Sequence, residues 1–80
     1  MNLLEQVQSM LEQQFGLPRE QLAPDQALSE LGIESLSMIE FMFDLENAFG
    51  IELTSDAPPP QTVADIVAAV EAALKRKGGA

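Results

Sequence analysis

The 80-residue chain carries 13 Asp and Glu residues against four Lys and Arg, so its formal net charge at pH 7 is -9. This acidity argues against DNA and RNA as partners, because neutralising phosphates requires basic side chains, and it favours docking against basic protein surfaces. The chain has no Cys and no His, which excludes disulfides, thiolate metal sites and the commonest general base. With 46% hydrophobic residues, residues 1–80 are predicted to form one small folded domain.

The first predicted helix follows Asn2, a plausible N-cap, and ends at Gly16, which supplies a left-handed stop. Apolar residues recur between them at helical spacing: Leu3, Leu4, Val7, Leu11 and Phe15. This stretch has neither the basic start nor the continuous apolar core of a signal peptide. No apolar run in the chain approaches the length of a membrane span. We therefore expect a cytoplasmic protein without a membrane partner.

A long loop is predicted over residues 17–34, because Pro18 and Pro24 punctuate it and no periodic apolar pattern crosses it. Its apolar residues are expected to plug the core: Leu22, Leu28, Leu31 and Ile33. The second helix is predicted to begin at Ser35 and to end near Phe49, with Gly50 closing it.

At about 100° per residue, the apolar side chains of the second helix fall into two groups. The group expected to face the core is Met38, Phe41, Met42, Leu45, Ala48 and Phe49. The opposite group is Leu36, Ile39 and Phe43, with Glu40 and Asn47 among them and Glu46 at the edge. Two interpretations of the opposite group remain open: it is an exposed docking surface, or Leu28, Leu31 and Ile33 of the loop cover it.

Leaving three large apolar side chains exposed forgoes about 5–9 kcal/mol, which is comparable with the whole stability of a small domain. Such a patch therefore suggests a docking surface. The charges support this interpretation, because the segment from Glu30 to Asp56 contains seven acidic residues and no basic one. An apolar centre with an acidic rim is expected to fit a partner with a basic rim.

The last predicted helix begins with a capping box, in which Thr62 caps and Asp65 follows three residues later. Its apolar stripe is Val63, Ile66, Val67, Val70 and Leu74, and its last turn carries Lys75, Arg76 and Lys77. Pro58, Pro59 and Pro60 precede it and forbid an ordinary helix interior, so at most a short turn is expected there. The predicted fold class is all-α: a small three- to four-helix bundle with a long loop between the first two main helices and a short or degenerate helix III.

Ser35 has two interpretations. A serine before an apolar helical run is ordinarily an N-cap, which stabilises a helix by about 1 kcal/mol. It cannot be a self-activated nucleophile, because the chain has no His and no Lys lies near it in sequence. The acidic residues also lack the spacing of a calcium loop. We therefore predict no catalytic residue and no metal site, and a reaction at Ser35 would need a separate enzyme.

The stretch LGIESLSMIEFMFDLENAFGIEL, residues 31–53, resembles the prosthetic-group attachment region of acyl carrier proteins. The pattern of that family is Leu-Gly, any residue, Asp-Ser-Leu, and then an acidic amphipathic helix that ends in Glu-x-x-Phe. The matching positions are Leu31, Gly32, Ser35, Leu36, Glu40, Leu45, Glu46 and Phe49. The resemblance extends over the whole chain, including the long first loop and the TVADIV start of the last helix.

The resemblance implies a non-catalytic carrier. Ser35 would receive 4'-phosphopantetheine from coenzyme A through a phosphopantetheinyl transferase, and the thiol of this arm would hold acyl groups as thioesters in fatty-acid, polyketide or related biosynthesis. Other partners would be acyl- or aminoacyl-loading and transferring enzymes with basic docking surfaces, and the carrier would be a monomer. The matching docking residues are Glu34, Leu36, Ile39, Glu40, Phe43 and Glu46.

The sequence departs from the family pattern at several positions. Glu34 replaces the usual Asp, Phe43 is larger than the methionine often found there, and Pro58 to Pro60 stand where fatty-acid carriers have a short third helix beside the acyl pocket. These departures indicate a specialised carrier. The alternative function is an unmodified acidic adaptor domain that docks through Leu36, Ile39 and Phe43.

Overall fold

The computed structural model describes residues 2–53 and 60–79 of the chain. It contains three α-helices, α1 (Leu3–Phe15), α2 (Ser35–Phe49) and α3 (Val63–Gly79), and two short 3-10 turns, Arg19–Gln21 and Leu28–Leu31. Within the described ranges there is no strand, and none of the helices is long and apolar enough to cross a membrane. The predicted all-α fold class is confirmed. The turn predicted around Pro58 and Pro59 lies outside the described residues.

Local capping residues set the ends of the helices. The side chain of Asn2 accepts a hydrogen bond from the Glu5 N–H at 2.8 Å, and the Glu5 carboxylate accepts from the Asn2 N–H at 3.5 Å, so a capping box begins α1. Gly16 ends α1 in the left-handed region, at φ 67. At α3, the Asp65 N–H donates to the Thr62 hydroxyl oxygen at 3.1 Å, and the Thr62 N–H donates to the Asp65 carboxylate at 3.2 Å. The predicted helix ends are confirmed.

The core lies between the three helices and takes side chains from each helix and from the loop. Its buried members are Val7, Leu11, Leu22, Leu28, Phe41, Leu45, Ile51, Val63, Ile66, Val70 and Ala73. Ala48 was also expected to face the core, and this prediction is wrong because Ala48 is exposed. It lies on the same side of α2 as Phe41 but in the last turn of the helix. Phe49 in the same turn still packs against the core, so the position of Ala48 at the edge of the core-facing group and its short side chain leave it in solvent.

The loop between α1 and α2 is fastened to α1. The buried Gln8 side-chain amide donates to the Leu22 carbonyl at 2.6 Å, and the Arg19 guanidinium donates to the Glu12 carboxylate at 2.6 and 2.9 Å. Leu22 and Leu28 are buried, while Leu31 and Ile33 pack against the core from its edge. The prediction that these loop residues plug the core is confirmed.

α2 and α3 run parallel, with their N-termini at the same end of the molecule. Near that end, the Leu28 N–H donates to the Gln61 carbonyl at 2.8 Å, and the Val63 N–H donates to the Gln26 carbonyl at 3.2 Å. At the opposite end, the Arg76 guanidinium donates to the Glu52 carbonyl, just after α2, at 3.4 Å. The start of α2 is consequently held beside the start of α3.

We predict that Gln8→Ala lowers the free energy of unfolding by about 1–3 kcal/mol, because it leaves the Leu22 carbonyl buried without its donor. Urea denaturation monitored by circular dichroism measures this change. The control is Gln13→Ala on the exposed side of α1, which should change the free energy by less than about 0.5 kcal/mol. Equal losses in the two variants would contradict a structural role for the Gln8–Leu22 bond.

Candidate functional site

Ser35 is the first residue of α2, and its side chain is exposed. The N-cap position belongs to Glu34, which has extended backbone angles (φ -83, ψ 164) and makes no side-chain capping bond. The interpretation of Ser35 as an N-cap is therefore wrong by one position, since its backbone is already helical. Among the described residues, no hydrogen bond engages the Ser35 hydroxyl. It is available for reaction rather than for structure.

The start of α2 also favours negative charge. The first helical hydrogen bond runs from the Met38 N–H to the Glu34 carbonyl at 2.9 Å. The N–H groups of Ser35, Leu36 and Ser37 therefore have no carbonyl acceptor within the helix. Such amides and the helix dipole stabilise an exposed anion by about 0.3–1 kcal/mol. The exposed Glu34 carboxylate opposes this attraction. Stability alone therefore does not account for an acidic residue beside Ser35.

Gly32 turns the chain into α2. Its φ of 77 lies in the left-handed region, which favours glycine. A Cβ at this position would meet no atom within 4 Å, so the backbone conformation, and not a lack of space, is the reason for glycine. The turn leaves Ser35 at an exposed corner of the molecule.

Three large apolar side chains of α2 face solvent: Leu36, Ile39 and Phe43 are 66%, 52% and 59% exposed. On the other side of α2, Phe41 and Leu45 are fully buried. The loop does not cover the exposed group, so the structure supports the first of the two interpretations. We call Leu36, Ile39 and Phe43, together with the exposed Glu34 and Glu40, the α2 surface.

The acidic side chains predicted to dock partners fall into two kinds. The two ion pairs formed within residues 2–53 and 60–79 are Arg19–Glu12 and Lys75–Glu71, and neither involves α2. Glu34 and Glu40 are thus exposed without an ion-pair partner in this part of the chain. Glu46 differs, because its carboxylate accepts a hydrogen bond from the Leu53 N–H at 2.8 Å. The docking roles of all three residues remain predictions.

An apolar groove runs between α2 and α3, and Ser35 lies on its rim. Its walls are mainly Ile33, Met38, Ile39, Met42 and Phe43 on one side and Ala68, Ala69 and Ala72 on the other. Ile39 and Phe43 therefore belong to both the groove and the α2 surface. The alanine side chains are too short to fill the space between α3 and α2, so the groove stays open. Periodicity in the sequence did not predict this wall. The sequence does show these alanines beside the Val and Ile stripe of α3. It does not show that they face α2, because that depends on the parallel packing of the two helices.

Comparisons with known proteins show which family the chain resembles. A family model described as "Phosphopantetheine attachment site" matches residues 5–70. Acyl carrier proteins from Lactococcus lactis subsp. cremoris strains MG1363 and SK11 are each 31% identical to the chain over 71 residues, which cover 89% of this chain and 96% of the relative.

The chain belongs to the acyl carrier protein family. The predicted family is confirmed, and the chain is a phosphopantetheine carrier protein. Carriers of this family are non-catalytic and bear covalently attached 4'-phosphopantetheine. They interact with phosphopantetheinyl transferases and with acyl-handling enzymes.

Phe41 and Phe43 of α2 should differ in their contribution to stability, because Phe41 is buried and Phe43 is exposed. We predict that Phe41→Ala lowers the free energy of unfolding by about 3–5 kcal/mol, because Phe41 is fully buried and its ring lies 5.8 Å from that of Phe15. Phe43→Ala should change it by less than about 1 kcal/mol. Denaturant unfolding measures both variants, and a comparable loss in Phe43→Ala would show that Phe43 belongs to the core.

Proposed function

We propose that this carrier holds acyl groups as thioesters on a 4'-phosphopantetheine arm attached to Ser35, and presents them to enzymes of fatty-acid, polyketide or related biosynthesis. One observation carries the proposal. The exposed Ser35 hydroxyl stands where the α2 surface and the apolar groove meet. A group attached there lies beside both the α2 surface and the apolar groove, which share Ile39 and Phe43.

The residues around Ser35 fit the arm. The free hydroxyl is a point of attachment, and the first-turn amides of α2 suit the phosphodiester anion. The groove walls formed by Met38, Met42 and the alanines of α3 suit an apolar cargo. When attached, the arm supplies the thiol that a chain without cysteine lacks.

Attachment requires a second enzyme. The Ser35 oxygen forms a bond to the pantetheine phosphate of coenzyme A, the pyrophosphate bond breaks, and the nucleotide half leaves. The serine proton must pass to a base, and this chain has no His to accept it. The transferase therefore supplies the base, while the carrier supplies an accessible hydroxyl and a surface to recognise.

The α2 surface has the composition of a docking site. Leu36, Ile39 and Phe43 provide an apolar centre, and Glu34 and Glu40 provide free negative charge at its rim. A partner with an apolar patch surrounded by Lys and Arg would complement both features. The larger Phe43 and the longer Glu34 change the shape and reach of this surface relative to the usual family pattern. They support a specialised carrier with its own set of partners.

The attachment site is tested by intact-mass measurement after incubation with coenzyme A and a broad-specificity phosphopantetheinyl transferase. We expect a mass gain of one arm in the unmodified sequence and none in Ser35→Ala. Ser37→Ala, which removes the next hydroxyl on the same helix turn, is the matched control and should be modified fully. A mass gain that survives Ser35→Ala would contradict the assignment.

The alternative function is tested by the same measurement. An adaptor domain would dock through the α2 surface without ever receiving the arm. Absence of any mass gain with several transferases, in a protein whose circular dichroism shows a folded helical domain, would favour the adaptor and contradict the carrier proposal.

The docking role of the α2 surface predicts that Glu40→Lys combined with Phe43→Ala slows arm transfer by about tenfold or more in kcat/KM. The double variant removes an apolar contact and reverses a free charge, while the core side of α2 is untouched. Transferase kinetics at low and high salt measure the effect, which should shrink as salt screens the charges.

The control for this variant is Glu71→Lys on the exposed side of α3, which makes the same charge change away from the α2 surface. It should leave the transfer kinetics within about twofold of the unmodified sequence, because the total charge alone contributes weakly at physiological salt. Equal slowing by both changes would indicate that net charge matters and the α2 surface does not. Loss of helical signal in the double variant would show that the surface is needed for folding.

A further inference from the structure

The chain reverses direction directly after α2, and Glu46 organises this reversal. Gly50 takes a left-handed conformation at φ 63, and its N–H donates to the Glu46 carbonyl. The Ile51 N–H donates to the same carbonyl at 3.1 Å. The Leu53 N–H donates to the Glu46 carboxylate at 2.8 Å. One residue of α2 thus binds three backbone amides of the segment that follows it.

The segment held in this way forms part of the groove. Leu53 packs against the core and lines the groove together with Glu46. From the other side, Arg76 of α3 donates to the Glu52 carbonyl at 3.4 Å and also lines the groove. Glu46 lies eleven positions after Ser35 on the helix, or about 16 Å along its axis at 1.5 Å per residue. Leu53 therefore stands at the end of the groove far from Ser35.

We propose that Glu46 is a positioning residue for the cargo rather than a contact for partner enzymes. Its carboxylate fixes Leu53 as the far wall of the groove, and this wall keeps water from a thioester-linked chain that lies there. The cargo role rests on the proposed function, because it requires an acyl group carried from Ser35. Glu34 and Glu40 differ from Glu46, since no side-chain hydrogen bond engages them within the described part of the chain.

The two roles of Glu46 make different demands on its side chain. Partner docking needs the negative charge, which glutamine lacks. Positioning Leu53 needs only an oxygen acceptor in the right place, which glutamine retains. Glu46→Gln and Glu46→Ala therefore separate the two roles. Asp44→Ala is the matched control, because Asp44 is a half-buried acid of the same helix that makes no hydrogen bond to residues 50–53.

The first measurement is hydrogen exchange of the Leu53 amide, followed by NMR in the protein without the arm. Glu46→Ala should raise the exchange rate about tenfold, because the amide loses its charge-assisted acceptor. Glu46→Gln should stay within about threefold of the unmodified sequence, since the acceptor oxygen remains. Asp44→Ala should leave the rate unchanged, and amides within α1 serve as the internal reference. An unchanged Leu53 rate in Glu46→Ala would overturn the proposal.

The second measurement is the hydrolysis rate of an octanoyl thioester loaded on the arm at fixed pH. Glu46→Ala should hydrolyse several-fold faster, and Glu46→Gln and Asp44→Ala at the rate of the unmodified sequence. Faster Leu53 exchange without faster hydrolysis would reduce Glu46 to a purely structural residue and overturn the cargo role. Slower partner transfer in both Glu46 variants, with normal hydrolysis, would assign Glu46 to docking instead.

Loading of Ser35 and the behaviour of the Glu46 variants distinguish failure of the carrier function from failure of this proposal. If Ser35 is never loaded, the carrier function is refuted and the cargo role of Glu46 falls with it, whatever the exchange rate of Leu53. If loading succeeds and the Glu46 variants behave alike, only the positioning role fails. If Glu46→Ala does not fold, Glu46→Asp replaces it. The aspartate side chain is one methylene shorter, so its carboxylate does not reach the Leu53 amide.

Discussion

The burial of α2 on one side only is the constraint on which the rest of the structure depends. Phe41 and Leu45 carry that burial, and the Phe41 ring rests against Phe15 of α1. α1 and α3 are the other helices of the described ranges, and both contribute side chains to the core on that side of α2. The opposite side keeps Leu36, Ile39 and Phe43 in water at a cost to stability. Selection for stability alone would replace these residues, so their exposure supports the docking role that we propose for them.

The loop and the parallel packing convert this exposed helix into a site. Gln8 and Arg19 hold the loop to α1, and the backbone pairing of Leu28 with Gln61 brings the start of α2 beside the start of α3. Ser35 consequently stands at an exposed position beside both the α2 surface and the groove, which share Ile39 and Phe43. The low alanine wall of α3 keeps that groove open. The geometry of the site therefore depends on contacts far from Ser35 in sequence.

A carrier of this family does its work through placement rather than through reactive side chains. The chain has neither His nor Cys, so the proposed reaction at Ser35 relies on an imported thiol and on partner enzymes for proton transfer. In the proposed function, the chain itself contributes an accessible hydroxyl, a surface that partners recognise and a groove for the cargo. The three contributions come from successive turns of α2 and from the segment after it.

The sequence by itself determined the helix ends, the two-sided pattern of α2 and the family. Capping is local: Asn2, Gly16 and Thr62 act on amides or carbonyls within a few residues, so their roles follow from spacing. Only the tertiary structure decided that the side of α2 opposite the core stays uncovered, that Ala48 lies in solvent, and that Glu46 holds Leu53. Such features depend on which segments meet in space, and periodicity reports the direction of a side chain but not what stands opposite it.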